Sequence, residues 1–115
     1  MDRSQVLALI RDELATADKA RKEGNDGMVR VCARRAAGAA ARFWLDQNPR
    51  QGWGIDAMSQ LRNLAGDYSF PTPVREAAQR LTTRVTAQFT SPFRTDPIDD
   101  SQTIIAHLFG TDAEV

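Results

Sequence analysis

The stretch Gly24-Asn25-Asp26-Gly27-Met28-Val29-Arg30-Val31-Cys32-Ala33-Arg34-Arg35-Ala36-Ala37-Gly38-Ala39-Ala40-Ala41-Arg42-Phe43 joins a turn to a long helix, and the rest of the chain is read outward from it. Gly24 suits the left-handed position that follows a helix's last turn. Asn25 is a capping residue, so a new helix is predicted from about Asp26 to Gln47. Its apolar stripe reads Met28, Val31, Cys32, Ala36, Ala39, Ala40 and Phe43. Upstream, Val6, Leu7, Ile10, Leu14, Ala17 and Ala20 recur at helical spacing and predict a first helix from about Ser4 to Glu23, with Asp2 and Gln5 as a capping box. The link between the two is so short that they must fold back as an antiparallel hairpin, each helix about 30 Å long.

Downstream, Asn48-Pro49-Arg50-Gln51-Gly52-Trp53-Gly54 breaks the pattern. A short helix is predicted from about Ile55 to Leu64, with Ile55, Met58, Leu61 and Leu64 inward and Ala65-Gly66 as its stop. Tyr68 and Phe70 should pin the following loop to the core. Thr72-Pro73 opens a fourth helix with Pro at its first position, predicted to reach about Phe89 through Val74, Ala77, Ala78, Leu81 and Val85. Asp96-Pro97 repeats that signal for a fifth, which carries Ile98, Ile104, Ile105, Leu108 and Phe109 and ends at Gly110. No stretch alternates as a strand does. The fold class is all-α: an antiparallel up-and-down bundle of about five helices in one domain, residues 1–115.

Composition agrees. The chain has 115 residues, 42% of them apolar and 26% charged, enough for one core without help from a metal or disulfide. Acidic and basic side chains balance at 15 each but are unevenly placed. Residues 1–50 hold ten basic and seven acidic, residues 51–95 five and three, and residues 96–115 none and five. The body is thus basic and the C-terminal segment acidic. Thirteen of the fifteen basic residues are Arg, whose planar fork matches carboxylate and phosphate. A lone cysteine excludes an internal disulfide. No apolar run approaches the ~18 residues that span a membrane, and the N-terminus does not read as a secretory signal, so no membrane association and a cytoplasmic location are expected.

Chemistry-bearing residues are few. Arg30 and Arg34 lie one turn apart on the second helix, and Arg35 and Arg42 share another face, an arrangement able to bind anions or merely to cover the apolar stripe. Arg80 and Arg84 repeat the one-turn spacing on the fourth helix and could face phosphates. The run Ala36-Ala37-Gly38-Ala39-Ala40-Ala41 invites close helix packing, within the chain or between copies. His107 is the only histidine and would act alone as a general base. Cys32 on an apolar stripe reads as an inert thiol. One His and one Cys without a paired acidic motif do not make a zinc site, so no metal and no cofactor is expected.

The helix order, the motif Val31-Cys32-Ala33-Arg34-Arg35-Ala36-Ala37-Gly38 and the closing Ile104-Ile105-Ala106-His107-Leu108 resemble small bacterial members of the HEPN superfamily, helical domains named for nucleotide binding in higher eukaryotes and prokaryotes. The resemblance implies dimers, sometimes paired with a nucleotidyltransferase. Active members cleave RNA with an Arg and a His close together on one helix. Here the Arg preceding His107 is Arg94, thirteen positions earlier and across Pro97, so that activity does not carry over. The expectation is a non-catalytic interaction module, a homodimer acting through a protein or nucleotide-handling partner. Its rival is an RNA- or nucleotide-binding protein using Arg30, Arg34, Arg80 and Arg84, and an enzyme centred on His107 is a third reading.

Overall fold

The computed structural model describes residues 1–83 and 95–110. These form five helices: α1 (Arg3–Lys22), α2 (Asp26–Gln47), α3 (Ala57–Gly66), α4 (Thr72–Thr82) and α5 (Pro97–Phe109). No strand occurs among the described residues. Asp2 and Gln5 form the expected reciprocal capping box at the start of α1. Gly24 takes the left-handed conformation (φ 73°), and Asn25 accepts the Met28 N–H to open α2. The Asp96 carboxylate accepts the Ile98 N–H ahead of Pro97 and starts α5. Gly110 closes it with φ 84°.

α2 runs through the middle of the molecule and packs against each of the other four helices. The core accordingly has two compartments. Val6, Ile10 and Leu14 of α1 meet Val29, Cys32, Ala36 and Ala40 of α2, closed by Ile105 and Phe109 of α5. On the other side Ala33, Ala37 and Ala41 of α2 meet Leu61 and Leu64 of α3, Val74, Ala77 and Leu81 of α4, and Ile104 of α5. A helix buried on two sides has no room for large side chains on either. This is why α2 is built from Ala and Gly where it meets its neighbours. Gly38 is the tightest point, because a Cβ there would lie 2.4 Å from the Ala57 Cβ.

Several expectations need correction. The buried side of α2 is rotated relative to the predicted stripe: Met28 is 40% exposed and Val31 half-buried, while Val29, Ala33, Ala37 and Ala41 are buried. α3 begins two residues later than predicted, because Asp56 caps it by accepting the Ser59 N–H at 2.8 Å. Ile55 is left outside the helix and 84% exposed, and Ala65-Gly66 form the last turn. Phe70 is buried as expected, but Tyr68 is 83% exposed and stacks under the Arg75 guanidinium. α4 ends at Thr82, with extended backbone at Thr83. The remainder of its predicted course, with Arg84, Val85 and Phe89, lies outside the described residues.

Candidate anion-binding surface on α2

The arginines singled out by spacing fall into different environments. Arg30 Nη2 donates to the carbonyl oxygens of Arg80 (2.7 Å) and Thr83 (2.8 Å). These lie at the end of α4, where the Arg80 carbonyl accepts only a long bond from the Thr83 N–H and the Thr83 carbonyl is past the last turn. A cation there also meets the negative end of the helix dipole. Arg80 in turn grips Asp100 of α5 with a bidentate fork: Nε reaches both carboxylate oxygens at 3.1 Å and Nη2 reaches Oδ1 at 2.9 Å. Asp100 is nearly sealed from solvent, and its hydrogen bond and charge raise Arg80 above the ordinary arginine range. One residue further, the Ser101 hydroxyl donates to the Ala33 carbonyl at 2.8 Å within the core. Arg30, Arg80, Asp100 and Ser101 therefore clamp α2, α4 and α5 together.

Arg34 is half-buried and has no such engagement among the described residues. Burial lowers its proton affinity, and the adjacent Arg35 lowers it further. Arg30 is lowered chiefly by burial, then by Arg34, with Asp100 opposing. Arg35 and Arg42 are exposed, and Arg42 Nη1 donates to the Ile55 carbonyl at 3.3 Å. Arg84 lies outside the described residues.

His107 is exposed, with its ring against the edge of Phe70 at 5.6 Å. Phe70 belongs to an aromatic cluster with Trp44 and Trp53, and Arg50 lies over the Trp44 ring. Cys32 is buried beside Glu13. Burial and the Glu13 carboxylate both push its thiol up, which keeps it protonated at neutral pH. Among the described residues no three His, Cys, Asp or Glu side chains gather as a metal ligand set. A cleft of about 350 Å³ between α1 and α5 is lined by charges of both signs, including Arg11, Asp18, Arg21 and Asp99.

No family model, curated protein or solved structure matches this chain. The resemblance to HEPN domains thus stands on the helix order and the residues quoted for it. No helix among the described residues is long and apolar enough to cross a membrane.

Asp100 and Arg80, twenty residues apart, belong in sequence to an acidic segment and a basic row. Their pairing carried one sequence signal. Asp100 lies two positions after Ile98 and four before Ile104, on the side of the helix that also carries Ile105 and Phe109 and is interrupted otherwise only by the small Ser101. An acid on such a side needs a buried cation.

Proposed function

We propose that this chain is a non-catalytic helical module that acts by protein contact, and that a second copy of the chain is its first partner. The observation that carries this reading is the outer face of the α1–α2 hairpin. Leu9 (37%) and Met28 (40%) are exposed there, and Val31 and Ala39 are half-buried. Leu9, Glu13 and Thr16 form one row on α1, while Met28, Arg35 and Arg42 form one on α2. One Glu13 carboxylate oxygen is shielded from solvent and has no hydrogen-bond partner. One carboxylate on α1, Glu13, and two guanidinium groups on α2, Arg35 and Arg42, give the face both signs of charge. A twofold axis would lay each Glu13 toward the other copy's arginines. Exposed ion pairs contribute about 0–1 kcal/mol each, so the apolar side chains must supply most of the affinity.

The acidic start of α5 is used largely within the chain. Asp96 pairs with Arg21 at 2.7 Å and Asp100 with Arg80, both within the chain. The small-residue run of α2, apart from half-buried Ala39, is likewise buried inside one copy. A nucleotide-handling enzyme, such as the nucleotidyltransferase that the resemblance implies, is the further partner this reading accommodates. The rival reading, RNA binding through the four arginines, is weakened because Arg80 is already paired and Arg30 is half engaged.

Sedimentation velocity at micromolar concentration tests the proposal. The expected result is a species of twice 12.7 kDa that the double variant Leu9→Glu/Met28→Glu converts to monomer without loss of helical circular dichroism. A single species at 12.7 kDa for the unaltered chain removes the self-association. Binding to single-stranded RNA that falls steeply with salt would favour the rival.

A further inference from the structure

Arg30, Arg34 and Gly38 follow one another at four-residue intervals and so form one row along α2. Both ends of the row are fixed. Arg30 is tied to the last carbonyls of α4, and Gly38 lies against Ala57, the first residue of α3. Arg34 stands between them, where the end of α4 and the start of α3 come to the same side of α2.

Arg30 uses only Nη2 on α4, and among the described residues its Nε and Nη1 donate to nothing. None of the Arg34 nitrogens has an acceptor there either. None of these nitrogens is sealed from solvent, since the only shielded, unpartnered side-chain polar atom among the described residues belongs to Glu13. Other arginines that reach a neighbouring element are satisfied: Arg80 by Asp100, Arg21 by Asp96, and Arg75 by the Ala65 carbonyl and the Tyr68 ring. Asp100 cannot serve Arg34 as well, because both of its oxygens are held by Arg80.

We propose that Arg34 and the two unused nitrogens of the Arg30 guanidinium form a binding site for the phosphate of a phosphomonoester. The unoccupied Arg34 fork can donate in parallel to two of a monoester's three terminal oxygens, and one turn away Arg30 can add a single N–H bond from Nη1 or Nε to the third. A monoester carries nearly two negative charges at neutral pH and so offsets both cations, which a carboxylate does not. Arg30 is pre-positioned by its bonds to α4, so only Arg34 loses freedom on binding. Burial disfavours both cations in the free protein, and a bound dianion relieves that penalty. The site is independent of the hairpin contact, since it occupies the opposite edge of α2.

Nitrogen-15 NMR of the arginine Nε–Hε groups tests it, with titration by inorganic phosphate and by AMP at constant ionic strength. Saturable shifts of the Arg34 and Arg30 signals are expected with both. Arg34→Gln should weaken them about tenfold or more, the loss of a charged hydrogen bond. Arg34→Gln should melt no lower than the parent, because Arg34 holds no other element in place. Arg62→Gln, on the exposed side of α3, should bind as the parent does. Shifts that fail to saturate, or that persist in Arg34→Gln, overturn the site. Saturation by inorganic phosphate but not by AMP would mean an adventitious ion only and also overturn it. An RNA decamer without a terminal phosphate that binds there as tightly as AMP would transfer the site to phosphodiesters and refute the monoester.

Discussion

Gly38 sits where α2 and α3 come closest, and the space for one methyl group is missing. Gly38→Ala would gain up to ~1 kcal/mol of helix propensity. It would also force the new Cβ to within 2.4 Å of the Ala57 Cβ, and overpacking of this kind costs about 1–3 kcal/mol. The clash should win. Since ~1 kcal/mol shifts a domain of this size by about 4–8 °C, calorimetry should show a melting temperature several degrees lower. Adding Ala57→Gly should restore part of the loss, because the nearest atom left is the Ala57 Cα at 3.3 Å. The glycine was visible in the sequence as one of six small residues, but which of the six touches a neighbour depends on how α2 is rotated. Arg80 and Asp100 make the same point with charges. Arg80→Gln strands a buried carboxylate, and removing one partner of a buried pair costs ~3–5 kcal/mol. The lower end of that range is expected here, since the Arg80 side chain is 26% exposed. Urea denaturation would measure it, and an Arg80→Met/Asp100→Leu double variant should be more stable than either single change.

Helix ends were readable because capping chemistry is local. Asn25, Asp96 and the Asp2–Gln5 pair each announce a start within three residues of themselves, and the structure places helices there. Ile55 has the spacing of the first member of an apolar stripe, which puts the expected start of α3 two residues early. The signal that resolves it is Asp56 with Ser59: the carboxylate accepts from both the Ser59 N–H and hydroxyl, at 2.8 and 3.0 Å. These bonds hold Asp56 below the usual aspartate value of 3.8. A group depressed on folding contributes stability that is present above its unfolded pKa and lost as pH falls through its folded one. The parent should therefore melt above Asp56→Ala at pH 7, and the gap should narrow as the pH is taken below 3.8. A gap that stays constant down to pH 2 would show that the cap works without its charge. The apolar face of α2 was harder to read than its ends. Large apolar residues usually mark the inward side. On a helix pressed from two sides the small ones do, and Met28 and Val31 are left toward solvent.

The whole molecule measures 38 × 28 × 24 Å, with a Cα radius of gyration of 13.3 Å. Small-angle scattering extrapolated to zero concentration should approach that radius for the monomeric Leu9→Glu/Met28→Glu variant and exceed it for the parent at micromolar concentration. All-α class, helix number and hairpin topology follow from periodicity and link length, which act along the chain. The two-compartment core and the clamp around Asp100 join residues far apart in sequence, and no spacing rule reaches them. The central position of α2 governs how the fold can open. Among the described residues α1 touches neither α3 nor α4, and α3 does not touch α5, so the two compartments are held in one body through α2, which faces both, and through α5 beside it. Neither can come apart without exposing a face of that helix. The amides of α2 around Cys32 to Ala41 should then exchange with deuterium only when the entire chain unfolds, at the free energy given by denaturant. The amides of α1 and α3, each bound to one side, can exchange through smaller openings that leave the opposite compartment closed.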